Sequence, residues 1–141
     1  MKFNFFSKNN ICTQKINLYI ADSSIHKKGV FSSSPIKYGE IIEECPLLIF
    51  DTKESELLKN SKLYFFYFIL DNYPLRVALA LGNGSIYNHQ APSNAAFFIN
   101  KNEDVLIIKA EKDISMNTEI TINYNGSPND LTSISYSSDM L

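Results

Sequence analysis

The sequence Leu-Gly-Asn-Gly-Ser-Ile-Tyr-Asn-His-Gln-Ala-Pro-Ser-Asn, residues 81–94, decides the fold of this 141-residue chain. A strand-like run stops at Gly82 and Gly84, where glycine lets the backbone approach another group closely. Asn88 and His89 then supply hydrogen-bond donors and acceptors at that approach. Taken alone, such a stretch is typical of a polar turn between two buried strands.

A second stretch, residues 114–124, changes that interpretation because it reads Ile-Ser-Met-Asn-Thr-Glu-Ile-Thr-Ile-Asn-Tyr. An Asn-His pair after a glycine turn, followed about thirty residues later by Glu-Ile-Thr-Ile-Asn-Tyr, resembles the SET-domain family of protein-lysine methyltransferases. The resemblance is closest to the small single-domain SET proteins of large DNA viruses and bacteria, and it covers residues 18–136. It implies that the two segments meet in a knot-like crossing, which is otherwise rare in folds.

The fold class implied by the resemblance is a SET-domain β-clip, in which several small sheets surround this crossing. The sequence pattern agrees, because it predicts many short strands and one helix over residues 52–59, capped by Asp51 or Thr52. We therefore expect a mainly β protein with one or few short helices. The predicted strands include residues 16–21, a strand beginning within 36–42, a separate strand at 47–50 after Pro46, and a hairpin of 95–99 with 105–110. The predicted division is an N-terminal extension, 1–15, a SET domain, 16–125, and a C-terminal segment, 126–141, that closes the site.

The composition fits one domain whose core needs neither metal nor disulfide. Hydrophobic residues make up 45% and charged residues 20% of the chain, which argues against disorder. A formal charge of -2 gives no reason to expect nucleic-acid binding. Cys12 and Cys45 cannot complete a four-ligand zinc site, and His26 and His89 lack metal-ligand spacing, so no metal is predicted.

Targeting signals are not evident in the sequence. No signal peptide is predicted, and no apolar run reaches the length of a membrane span. A disulfide between Cys12 and Cys45 stays open, although a reduced protein is the simpler interpretation. We expect a soluble intracellular protein, either cytoplasmic or acting in a host nucleus, with no membrane partner.

The resemblance also implies roles for individual residues. Tyr124 matches the family's catalytic tyrosine, although a Tyr in isolation would more often be a buried structural residue. Tyr87 and Ile122 are the predicted substrate-binding residues. Ile122 stands where many members carry Phe or Tyr, and its smaller side chain is expected to allow methylation beyond the first step. The predicted cofactor-binding residues are Lys28, Gly29, Asn88, His89 and, in the folded-back C-terminal segment, Tyr136.

Two departures from the family pattern fall on turn glycines. Lys27 stands where the first glycine of the cofactor segment is usual, which is expected to weaken cofactor affinity. Asn117 replaces a turn glycine in the second motif, and Asn tolerates this because it also adopts left-handed conformations.

We predict structural roles for the aromatic and the acidic clusters. Tyr64 and Tyr67 could line a lysine channel, but aromatic stripes are more often core, and we predict core for both. The carboxylates of Glu40, Glu43, Glu44, Asp51, Glu54 and Glu56 are predicted to form a solvated acidic face. If they surround the channel mouth instead, they would steer a basic peptide toward it.

The function implied is S-adenosylmethionine-dependent transfer of methyl groups to the side-chain amine of lysine in a protein, with a histone tail as the candidate substrate. S-adenosylhomocysteine would be the product, no metal would be needed, and a homodimer is compatible with the family. One alternative is a catalytically inactive SET-fold interaction module, which the lost first glycine motivates. Another is an unrelated all-β binding protein, which would lack the crossing of the two C-terminal segments.

Overall fold

The computed structural model describes residues 16–134, and strands dominate this part of the chain. It contains one α-helix, α1 (Thr52–Leu58), and one 3-10 helix, Lys62–Phe65. The strands are β1 (Leu18–Asp22), β2 (Lys28–Ser32), β3 (Ile41–Ile49), β4 (Tyr67–Asn72), β5 (Leu75–Ala80), β6 (Asn88–His89), β7 (Ala95–Asn100), β8 (Val105–Ala110) and β9 (Glu119–Ile122). The mainly β prediction is confirmed. The proposed domain boundaries stay a prediction.

The predicted hairpin of β7 and β8 is confirmed, with Ala95 opposite Ala110 and Asn100 opposite Val105. Along β8 every second residue is buried, namely Leu106, Ile108 and Ala110. This alternation places one face of the strand in the core, as a period of two requires.

Helix α1 begins where the sequence places it. Asp51 is the N-cap, and its carboxylate accepts from the backbone N–H of Glu54 at 2.9 Å. The side chain of Glu54 in turn accepts from the N–H of Asp51 at 3.0 Å. This reciprocal capping box satisfies two N–H groups that a short helix otherwise leaves unpaired.

The prediction of two strands separated by Pro46 is wrong, because β3 runs through this residue. Pro46 is opposite Val105 of β8, whereas the pairing with β5 covers only Leu47 to Ile49. The amide of Leu47 donates toward β8, to Asp104 O at 2.8 Å, so the side of Pro46 that lacks an N–H faces the end of β5. Leu81, the residue after β5, donates to Pro46 O at 2.9 Å, so only the reciprocal bond from Pro46 is missing. The proline is tolerated because this position lies at the end of the pairing with β5.

The two sheets meet at the crossing predicted from the sequence. One sheet has the strand order β1-β2-β9-β6 and the other β4-β5-β3-β8-β7. Strand β6 runs parallel to β9, and beyond them Ser93 N donates to Pro128 O at 3.0 Å. The buried side chain of Asn94 stabilises the crossing. It donates to Glu119 O and accepts from Thr121 N, both at 2.8 Å.

Candidate active site

Tyr124 lies two residues after the end of β9, and both its backbone and its side chain are hydrogen-bonded. Its backbone N–H donates to Nδ1 of His89 at 3.1 Å. Its hydroxyl donates to the backbone oxygen of Tyr87 at 2.8 Å. The parallel pairing of β6 with β9 puts residues 87–89 beside Tyr124, although 35 positions separate His89 from Tyr124 in the chain.

The imidazole of His89 holds the backbone of Tyr124, and the cofactor contact expected of His89 stays a prediction. Its Nδ1 accepts a hydrogen bond, so the neutral ring carries its proton on Nε2. Partial burial lowers the pKa of His89 below its ordinary value, which favours this neutral form. The imidazole therefore orients the backbone at Tyr124.

A cavity of about 420 Å³ opens on one side of Tyr124. Both predicted substrate residues, Tyr87 and Ile122, line it, and both are almost fully buried. None of its lining residues is charged. The lining consists of Tyr64, Phe65, Phe66, Tyr67, Phe68, Ile69, Gly84, Ser85, Tyr87, Phe97, Ile122, Tyr124, Asn125, Gly126 and Ile134.

A polar cluster lies behind Asn88, around the start of β2. The Asn88 Nδ2 atom is 2.9 Å from Lys28 O and 3.0 Å from His26 O. It is also 2.7 Å from Oε1 of Glu119, whose carboxylate accepts from the hydroxyl of Ser23. These contacts fix the Asn88 side chain against β2.

Gly29 makes this arrangement sterically possible. A Cβ atom built on Gly29 would overlap the carboxylate of Glu119. The neighbouring side chain therefore requires a glycine at this position, which lies within β2.

Comparison with known families decides what this arrangement is. The SET-domain model matches residues 27–125. The chain belongs to the SET-domain family. This SET domain is 29% identical over 112 residues to a Schizosaccharomyces pombe histone-lysine N-methyltransferase specific for H3 lysine-37, covering 76% of this chain and 72% of that protein.

Solved structures agree with the assignment. A protein of Plasmodium falciparum that is provisionally assigned as a histone methyltransferase superposes with a TM-score of 0.65 at 34% identity, covering 79% of this chain and 95% of that one. A chain of ctPRC2 superposes with a TM-score of 0.66 at 15% identity, covering 82% of this chain and 16% of that one, which shows the shared fold. The β-clip predicted from the two motifs is therefore confirmed.

The prediction of core positions for the aromatic stripe is wrong for Tyr64. Its side chain is 49% exposed, and its ring packs edge-on against Tyr67 with centroids 5.6 Å apart. Phe66, at 48% exposure, was not singled out and also lines the cavity. An uninterrupted aromatic run, residues 64–68, was the available signal, because a half-buried strand would alternate with polar residues.

Glu119 and Ser23 were also missed as site residues. Glu119 belongs to the second motif, but nothing in the sequence indicates that its carboxylate would meet Asn88 and Ser23. The Lys28 side chain forms a surface ion pair with Asp22, so the part of Lys28 at the site is its backbone oxygen. Tyr136 lies outside the described residues.

The predicted acidic face does not form as one group. Glu43 turns inward and accepts from the Tyr87 hydroxyl, whereas Asp51 and Glu54 serve the cap of α1. No group of three or more metal-ligating side chains was found among residues 16–134. Within the same range, no helix is long and apolar enough to cross a membrane.

Proposed function

We propose that this SET domain transfers methyl groups from S-adenosylmethionine to the side-chain amine of lysine in a protein. The observation that carries the proposal is the position of the Tyr124 hydroxyl. Tyr124 lines an uncharged aromatic cavity and is hydrogen-bonded to Tyr87 and His89, the two residues that flank Asn88 of the polar cluster. SET methyltransferases generally use S-adenosylmethionine, which supplies an activated methyl group for in-line displacement by an amine.

The polar cluster suits the amino-acid end of this cofactor. The Asn88 amide nitrogen donates to the backbone at the start of β2 and to the side chains of Ser23 and Glu119, and its Oδ1 accepts no hydrogen bond from the described residues. No buried side-chain polar atom in residues 16–134 lacks a partner, so Oδ1 is reached by solvent. This oxygen is therefore ready to accept from an ammonium group.

The backbone at Lys27, beside this cluster, has a left-handed conformation of the kind that glycine adopts readily. Lys27 has a φ of 39°, in the left-handed region, where a non-glycine residue costs about 1–2 kcal/mol. Its side chain is exposed. Replacement of the glycine by Lys27 thus lowers the stability of the turn but keeps its backbone conformation. This favours retained cofactor binding over the inactive interaction module.

The cavity suits the deprotonation that methyl transfer requires. A lysine with a pKa near 10.4 must lose a proton, at a cost of about 4–5 kcal/mol at pH 7. An uncharged lining lowers the lysine pKa by desolvation, and the positive cofactor lowers it further by repulsion. The proton leaves to solvent, after which the Tyr124 hydroxyl orients the neutral amine.

A histone tail is the substrate we propose, because the relatives with the highest identity described above carry histone methyltransferase names. The side chain that enters the cavity is lysine. The surrounding aromatic residues contact its aliphatic stem, and water is excluded as they do so.

Calorimetric titration with S-adenosylmethionine and S-adenosylhomocysteine tests the cofactor first. Saturable binding at micromolar concentrations is expected for both. Transfer of labelled methyl groups to core histones then tests the reaction, with acid hydrolysis to show methylated lysine. The absence of binding by either compound would contradict the proposal and favour the interaction module.

A further inference from the structure

The turn formed by Gly82, Asn83 and Gly84 closes around a carboxylate. The backbone N–H of Asn83 donates to Oε1 of Glu43 at 3.0 Å. Gly82 has a φ of 69°, and a Cβ on it would lie 2.7 Å from the same oxygen. Both the left-handed backbone and the contact distance therefore require glycine at this position.

A β-bulge turns Glu43 inward. The pairing of β3 with β8 shifts between Ile41 and Glu43, and burial alternates from there onward. Glu43 shares the inner face with Cys45, whereas Glu44 faces solvent. A carboxylate on an inner face is costly unless hydrogen bonds compensate for the lost water, so its partners matter.

Tyr87 is the second partner of Glu43. Its hydroxyl donates to Oε2 of Glu43 at 2.7 Å, and its side chain is only 1% exposed. Burial and the adjacent carboxylate raise the pKa of Tyr87, so its hydroxyl remains a donor throughout the working pH range. The same two causes raise the pKa of Cys45 to about 12, which keeps its thiol uncharged.

A continuous path joins this carboxylate to the site. The ring of Tyr87 is anchored to Glu43, and the backbone oxygen of Tyr87 accepts from the hydroxyl of Tyr124. We propose that Glu43 is a positioning residue for methyl transfer: it fixes Tyr87 and thereby sets where the Tyr124 hydroxyl lies. The inference rests on the proposed function, and Glu43, which is absent from the cavity lining, acts on Tyr124 through Tyr87.

Single-atom changes separate positioning from a merely structural role. Tyr87→Phe removes the hydroxyl while leaving the backbone oxygen and the Asn83–Glu43 bond. We expect kcat to fall about ten-fold, because displacements well below 1 Å at a reacting group already cost that much, with the cofactor KM within about two-fold of wild type. Glu43→Gln should act in the same direction. The double variant should lose no more than the larger single effect, because both changes break one link.

Glu44→Gln is the matched control, since this neighbouring carboxylate faces solvent on the same strand. It should leave kcat and KM unchanged. If Tyr87→Phe unfolds, which thermal melting would reveal, Glu43→Gln carries the test alone. Values of kcat within about two-fold of wild type for the folded variants, or additive losses in the double variant, would overturn the inference.

A spectroscopic measurement tests the link without turnover. The chain has eight tyrosines, so ¹³C labelling at Cζ gives a spectrum simple enough to assign Tyr124 from its absence in Tyr124→Phe. Glu43→Gln should shift the Tyr124 signal, and Glu44→Gln should not. A shifted signal without methyl transfer by wild type would refute the proposed function alone. Transfer by wild type with an unmoved signal would refute the positioning role alone.

Discussion

The polar side of the site, around Asn88, presents backbone oxygens and the Asn88 amide beside the Glu119 carboxylate. The aromatic side, the cavity that Tyr124 lines, carries no charged side chain. Under the proposed function, the polar side would recognise the cofactor by fixed polar groups, which is effective only if each group is held in place. The aromatic side would act by excluding water. Changes on the polar side should therefore alter cofactor affinity, whereas changes on the aromatic side should alter rate and its pH dependence.

Tyr124→Phe changes a cavity residue that is hydrogen-bonded to both neighbours of Asn88, and it should have the largest effect. The ring and the backbone bond to His89 remain, but the hydroxyl that orients the amine is lost. We expect kcat to fall by about a hundred-fold or more, as for removal of one catalytic hydrogen-bond donor, with cofactor affinity unchanged by calorimetry. Turnover equal to that of wild type would refute the role of this hydroxyl.

Gly29→Ala should disrupt the polar side. The added methyl group overlaps the Glu119 carboxylate, which cannot move without breaking its bonds to Ser23 and Asn88. We expect cofactor affinity to fall about ten-fold or more and stability to fall by about 1–3 kcal/mol. Gly39→Ala is the control, because Gly39 has a φ of 84° but no neighbouring atom within 4 Å. It should lower stability and leave calorimetric cofactor affinity intact.

The aromatic side should make the transfer rate depend on pH. The lysine amine reacts only when neutral, so we expect the rate to rise several-fold between pH 7 and 9. Initial rates at saturating cofactor across this range measure the effect. A flat profile would mean that deprotonation does not limit the reaction.

Phe66→Ala should sharpen the contrast between the two sides. The change opens the aromatic wall to water, which weakens desolvation of the lysine. We expect kcat at pH 7 to fall about five-fold and the rate profile to shift toward higher pH, with cofactor affinity unchanged. Phe98→Ala is matched in residue type and exposure, at 50% against 48%, and lies outside the cavity lining. It should leave the profile in place.

His89 should give the smallest effect, seen in stability. Its pKa in the folded state lies below the ordinary value of 6.5, so below that pH the unfolded chain binds more protons. The stability that the neutral His89 contributes is fully present above pH 6.5 and is lost as the pH falls. Melting temperatures between pH 7 and 5 should decline less in His89→Asn than in wild type. The carboxylates with lowered pKa titrate below 3.8 and do not interfere in this window.

The sequence by itself determined the local elements and the family. Asp51 with Glu54 specifies a capped helix start, and the β7–β8 hairpin follows from two apolar runs that flank a polar loop. The Asn-His and Glu-Ile-Thr-Ile-Asn-Tyr motifs indicated the crossing, because each is contiguous in the chain. Asn117, with a φ of 60°, adopts the left-handed turn expected from its place in the second motif.

Only the tertiary structure decided which side chains surround Tyr124. The cavity brings residues 64–69 against residues 84–87 and 122–126, and the carboxylate behind Tyr87 comes from β3. A one-residue bulge turns Glu43 inward while Glu44 stays exposed, and no local pattern distinguishes two adjacent glutamates. The physical reason is that propensity, capping and alternation act over a few residues, whereas the environment of a side chain depends on which distant segments pack against it.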